Sequence, residues 1–159
     1  MKKFVLTITM CCISTAIFGQ NFTLSELIKL NNYKLDDFDT YVTQKGYQYY
    51  ENDNTDRTDE TSYVLYSNGV RKAYISKFHY KTQTKEMVSF QTGDNATYLK
   101  MKSDLKNLGF KFISTETYNG ATFFNYKKGV IEVALASSVQ ENPYGYKLTN
   151  YEISVSKLN

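Results

Sequence analysis

The chain has a single histidine, His79, in the stretch KFHYK with Lys77 and Lys81 at the same two-residue parity. An imidazole can act as a general base, but it needs a nucleophile to activate. The two cysteines, Cys11 and Cys12, stand far upstream in an apolar run, and no Gly-x-Ser-x-Gly elbow exists. A histidine-based zinc site would need more ligands of that type. His79 therefore reads as a surface or edge-strand residue.

The acidic stretch ENDNTDRTDE, Glu51 to Glu60, carries five acids and Arg57. Asn52, Asn54 and Asp56 have the alternate spacing of the first calcium ligands of an EF-hand. Arg57 then stands where the loop needs glycine, and Tyr63 where it needs the bidentate glutamate. The stretch is expected to be a solvated hairpin tip, with a charged partner or weakly held calcium as the alternatives. Paired carboxylates for glycoside hydrolysis are assembled in space, so spacing does not reveal them. No glycine-rich phosphate loop or dinucleotide fingerprint occurs. The expectation is a non-enzymatic protein with no catalytic residues, no metal and no cofactor.

Aromatic side chains remain as the means of recognition. The chain holds 15 tyrosines and 10 phenylalanines but one proline and no tryptophan, a composition suited to strands. In the run Val70 to Tyr80, Ala73 and Ile75 have the parity of an interior face, and Tyr74, Phe78 and Tyr80 the parity of the opposite one. Tyr144 and Tyr146 flank Gly145 in QENPYGYK, Gln140 to Lys147, which reads as a long loop. These five residues are the candidate partner face, because aromatics bring large contact area at low rotamer entropy. The alternative is that they pack inside the molecule.

The elements that must position these residues follow from periodicity. Leu35, Phe38, Tyr41 and Val42 form a helical stripe that ends at Gly46, after which Tyr47 and Tyr49 alternate with Gln48. Sixty-three residues on, Tyr98, Met101, Leu105 and Leu108 form a second stripe, with Asp94 or Asn95 as cap. It ends at Gly109, and Phe110 and Phe112 alternate after it. YSNGV, Tyr66 to Val70, is matched by YKKGV, Tyr126 to Val130, each a turn between apolar runs. Last strands are expected at Met87 to Gln91 and Tyr151 to Val155. Ahead of the first stripe, Thr23 and Glu26 form a capping box before Leu24, Leu27, Ile28 and Leu30. The predicted fold is α+β, two tandem helix-plus-antiparallel-sheet units with an extra N-terminal helix. The first unit, with its leading helix, covers residues 20–93 and the second 94–159, packed as one compact domain.

This layout resembles that of β-lactamase inhibitory proteins and similar small envelope proteins with tandem helix–sheet repeats. The resemblance is topological and covers nearly the whole chain after residue 19. It implies a concave sheet surface that grips another protein.

Lys2 and Lys3, the apolar run Phe4 to Phe18 and the small Gly19 have the layout of a cleaved secretory signal peptide over residues 1–19. The run is shorter than the roughly 20 residues of a spanning helix, so no membrane span is expected. Losing the two lysines takes the net charge from +3 to +1, with no footprint for nucleic acid. About 140 residues suffice for one cooperative core. The sequence thus predicts a periplasmic or secreted protein-binding module of inhibitor or immunity type, whose partner is another exported or envelope protein. A carbohydrate- or small-ligand-binding module and a structural envelope component are the alternatives.

Overall fold

A computed structural model of the chain describes residues 21–83, 85–118, 120–141, 145 and 147–157. The expected signal peptide, with both cysteines, lies outside the described residues, as do Tyr144 and Tyr146.

Local chemistry sets the helices. In α1, Leu24–Asn31, Thr23 Oγ1 accepts from the Glu26 amide at 3.2 Å and Glu26 Oε2 accepts from the Thr23 amide at 2.7 Å, so the capping box is formed. In α3, Asn95–Asn107, it is Asp94 that caps, accepting from the amides of Ala96 and Thr97. Both α2, Leu35–Gln44, and α3 end in the same way. Gly46 and Gly109 take φ of 88° and 79°, and the next residue's amide donates back five positions, Tyr47 to Val42 and Phe110 to Leu105.

Eight strands follow in two runs: β1 Gln48–Asn54, β2 Thr58–Ser67, β3 Val70–Tyr80 and β4 Lys85–Thr92, then, after α3, β5 Lys111–Tyr118, β6 Ala121–Lys128, β7 Ile131–Glu141 and β8 Lys147–Lys157. The expected fold of two tandem helix-plus-sheet units is overturned by how these strands join. They form one continuous antiparallel sheet in the order β1-β2-β3-β4-β8-β7-β6-β5. At the seam Val88 pairs with Val155 and Phe90 with Ile153, and all four are fully buried. Two separate sheets would leave these strands with unpaired amides and an apolar row facing water. α1 lies across the seam, against both β4 and β8.

All three helices cover one face. Across it runs the row Tyr63, Ile75, Phe90, Ile153, Leu135 and Phe124, joined by register from β2 to β6. Phe38, Val42, Leu24, Leu27 and Met101 close over this row. Each fully buried side chain of this kind contributes about 1.5–3 kcal/mol.

Of the two expected turns, one is found in place and the other shifts by one residue. In the β2–β3 hairpin Asn68 and Gly69 are the central pair, both with positive φ, whereas in β6–β7 Gly129 comes first and Val130 second. A bulge at Lys72 restores parity in β3, so Ala73 and Ile75 still face the helices.

Candidate functional site

The face opposite the helices carries a feature set entirely by register. Ser62, Ser76, Ser89 and Ser154 stand side by side on β2, β3, β4 and β8, and Ala134, Asn125 and Ser114 continue the row on β7, β6 and β5. Glu51 of β1 completes it. The row runs perpendicular to the strands, about 34 Å from β1 to β5 at the usual strand spacing; its members Ser62, Ser76 and Ser89 are buried, and it opens as a groove toward β5. One wall is Val64, Tyr74, Gln91, Glu152, Ala136, Phe123 and Glu116. The other includes Glu60, Phe78, Met87, Ser156, Glu132 and Lys127.

Three carboxylates are tied to this floor. Ser62 Oγ, 2.8 Å from Ser76 Oγ, donates to Glu60 Oε1 at 2.9 Å. Ser89 and Ser154 both donate to Glu152 Oε1, at 2.8 and 2.9 Å. Asn125 Nδ2 and Ser114 Oγ donate to Glu116 Oε1, at 3.0 and 3.2 Å. In each case only Oε1 is used, and among the described residues none of the three carboxylates has a cation partner. Toward the β5 side the groove deepens into a depression of about 340 Å³ lined by Met87, Ser114, Asn125, Ala134, Ser154 and Ser156, among others.

The sequence-expected aromatics are on this wall and just beyond it. Tyr74 is half-buried, its ring edge-on to Tyr50 at 5.7 Å and its hydroxyl donating to Glu51 Oε1 at 3.1 Å. Phe78 and Tyr80 stack at 6.4 Å, and Tyr80 Oη lies 3.9 Å from Met87 Sδ. Burial and then the nearby carboxylates, Glu60 and Glu152 for Tyr80, push the phenol ionisation up. Tyr74 is shifted the same way, chiefly by burial, with Glu51 and Glu60 contributing and the nearby Ser62 hydroxyl opposing. Carboxylates therefore stand near both phenols. Tyr144 and Tyr146, the other expected contacts, fall outside the described residues; their loop is shorter than expected, because β7 runs to Glu141 and β8 starts at Lys147.

Other expectations are corrected in place. The acidic stretch is no loop: its residues form most of β1 and the start of β2, with only Thr55 to Arg57 at the tip. Glu51 and Asp53 thereby charge the exposed edge strand, a common guard against edge pairing. His79 is exposed, but its strand is internal to the sheet. It stands on the helix side in a charged cross-strand row, Asp59, His79, Glu86 and Lys157, with Nδ1 2.7 Å from Glu86 Oε1.

Lys77 was not singled out by sequence and is 6% exposed. Its Nζ donates to the Asn31 carbonyl at 3.3 Å and lies 3.1 Å from Glu86 Oε2, close but outside hydrogen-bond geometry. These residues line a cavity of about 600 Å³ beside the α1–α2 turn. Among the described residues no three His, Cys, Asp or Glu side chains converge as metal ligands. No helix among them is long and apolar enough to cross a membrane.

With family models, curated proteins and solved structures, the chain finds no match. The functional reading rests on the groove itself. Its hydroxyls and carboxylates bond each other and its aromatics line a wall, an arrangement suited to holding a ligand by contact and hydrogen bonding. No hydroxyl among them is paired with an imidazole that would activate it, since His79 lies on the other face.

Proposed function

We propose that the protein is an exported, non-enzymatic binding module that holds another protein, in the manner of an inhibitor or immunity factor, against the open face of its sheet. The observation that carries this reading is the face opposite the helices: a row of small polar residues across seven strands, flanked by Tyr74, Phe78 and Phe123, that opens toward β5 into a depression of about 340 Å³. Aromatic walls beside a hydrogen-bonding floor have the character of protein interfaces, whose cores combine rigid rings with satisfied polar groups. The basic and apolar start of the sequence, with Gly19 as cleavage point, supports export.

The test is affinity capture from envelope and culture-supernatant fractions with residues 20–159 as bait. One stoichiometric protein is expected, lost from the double variant Tyr74→Ala, Phe78→Ala while the melting temperature stays within a few degrees. A partner retained by that variant, or nothing retained from fractions rich in the protein, refutes the reading. A carbohydrate reading draws on the stacked Phe78–Tyr80 pair beside the Glu60 carboxylate. It is favoured instead if a glycan array gives a signal that Tyr74→Ala abolishes.

A further inference from the structure

Where β4 ends, the sheet has a notch. Thr92 makes the last pairings of β4, with Ala73 on β3 and Tyr151 on β8, and the chain then leaves at Gly93 for α3. Beyond that point β3 still carries Lys72 and Arg71, and β8 carries Asn150 to Lys147 paired only to β7. Without β4 between them these segments stand two strand spacings apart, about 10 Å. A Cβ at Gly93 would meet only the Thr149 carbonyl, 4.0 Å away, so the base of the gap is open. The cavity measures about 560 Å³.

Its lining is cationic. Arg71, Lys72 and Lys147 line it, and none of the chain's 16 acidic residues does. The bulge at Lys72 sets this up: pairing Leu65 with Ala73 but Tyr66 with Arg71 puts Arg71 on the open side with Tyr74, where an unbulged strand would turn it toward the helices. The carboxamides of Gln91, Gln140 and Asn150 complete the set. None of these six side chains has an ion-pair or hydrogen-bond partner among the described residues. The serine row on the same face is, by contrast, tied to its own carboxylates. The acids nearest the notch are held elsewhere, Glu51 by Tyr74, Glu152 by the serines and Asp94 by the amides of α3. Glu141 stands opposite Lys147 in register without forming an ion pair. Unpaired donors of one sign, gathered in one recess, suit an anion.

We propose that this notch is a binding site for a phosphoryl group, carried either by a small molecule or by a lipid head group. A phosphate monoester brings about −1.5 to −2 charges and three acceptor oxygens, enough to engage a guanidinium fork and two ammonium groups together. A carboxylate has one charge and two oxygens, and would leave part of the set unused. The site does not rest on the protein-binding reading. Tyr74 and Gln91 are shared with the groove wall, but the three cations are not.

The experiment titrates isotope-labelled protein with glycerol 3-phosphate and with acetate at about 0.15 M salt, where loose attraction to surface lysines is screened. Glycerol 3-phosphate is expected to shift the backbone amides of Gly93 and Asn150 and the side-chain amides of Gln91 and Gln140. It should bind at least about fivefold more tightly than acetate. Combining Arg71→Gln, Lys72→Gln and Lys147→Gln, all at exposed positions, should weaken it about tenfold, given the modest worth of each exposed charge contact. Arg71→Lys keeps the charge and should narrow the preference over acetate, because the planar fork is lost. Sedimentation with phosphatidylcholine vesicles, with and without phosphatidic acid, separates the two sources. If the phosphatidic acid vesicles alone carry the protein down, and do not carry the triple variant, the phosphoryl group belongs to a lipid. If glycerol 3-phosphate binds and no vesicle does, it belongs to a small molecule; either result upholds the site. Acetate bound as tightly as glycerol 3-phosphate, shifts spread over the lysines of α3, or an unaffected triple variant overturns it.

Discussion

Replacing Tyr47 with phenylalanine should stabilise the protein. Tyr47 follows the glycine that ends α2 and is 2% exposed, its ring tilted against Phe22 at 5.2 Å. Its hydroxyl has neither a hydrogen-bond partner nor contact with solvent. The same burial pushes its ionisation far above the ordinary phenol range. An uncompensated buried hydroxyl costs about 1–3 kcal/mol in proteins. Phenylalanine keeps the ring and removes the unsatisfied group. The vacated oxygen site leaves a void of roughly 10 Å³, a penalty of only a few tenths of a kcal/mol at about 24 cal/mol per Å³. The net gain is therefore about 1–2 kcal/mol, which for a domain of this size raises the melting temperature by roughly 3–8 °C.

Circular dichroism through thermal and urea unfolding measures the gain, with an unchanged urea slope confirming that the unfolded state is not the cause. Tyr63 supplies the contrast. It is equally buried, but Asp39 stands near enough to its hydroxyl to add, after burial, to the rise in its ionisation. Tyr63→Phe should then lose about 0.5–1.5 kcal/mol. If Tyr47→Phe destabilises as much as Tyr63→Phe, the hydroxyl of Tyr47 has a partner in solution and the reasoning fails.

Three further outcomes are expected. Lys77→Met should cost about 1–3 kcal/mol in urea unfolding, below the usual figure for a buried pair because Glu86 is 36% exposed, and adding Glu86→Gln should recover part of the loss. Burial opposes ionisation of Glu26, yet Lys45, Thr23 and Tyr41 together hold its carboxyl down to about 2, against an ordinary 4.5. Its contribution is present above about pH 4.5 and is lost as pH falls toward 2, so Glu26→Gln should flatten the acid limb of a stability profile. At the other end burial, and then Glu26, pushes Tyr41 up to about 12, and Tyr47 and Tyr63 are raised as well. Above about pH 10 the unfolded chain loses these protons first, so stability should fall as pH rises and fall less steeply in Tyr47→Phe.

What was legible in the sequence was local. Thr23 with Glu26, Asp94, Gly46 and Gly109 mark helix ends because their chemistry acts within one turn. The parity of β3 was legible for the same reason: an Ala-x-Ile alternation separates Tyr74, Phe78 and Tyr80 from the core whatever the neighbouring strands are. The acidic stretch misled because Asn, Asp and Glu are poor strand formers, and only an edge strand exposed along its whole length tolerates so many. Lys77 misled in the opposite direction. A lysine reads as surface, and its burial depends on a carbonyl at Asn31, forty-six residues away in the chain.

The groove was not legible because it depends on pairing between distant strands, and one pairing matters most. Ser62, Ser76 and Ser89 lie on the first run of strands, and Ser154, Ala134, Asn125 and Ser114 on the second. Each run alone would carry a floor three or four strands wide, about 10–14 Å between its outer members. The β4–β8 pairing sets Ser89 opposite Ser154, their hydroxyls 3.5 Å apart under the shared carboxylate of Glu152. The apolar seam of Val88, Phe90, Ile153 and Val155 that makes one sheet on the helix side thus also makes one floor on the open side. A slip of two residues at that seam would keep every apolar residue on its face and still break the serine row, because parity is preserved while register is not. The core therefore enforces the face on which the serines lie. Continuity of the row requires in addition that Phe90 meet Ile153, a fit of side-chain shapes that hydrophobic pattern alone does not encode.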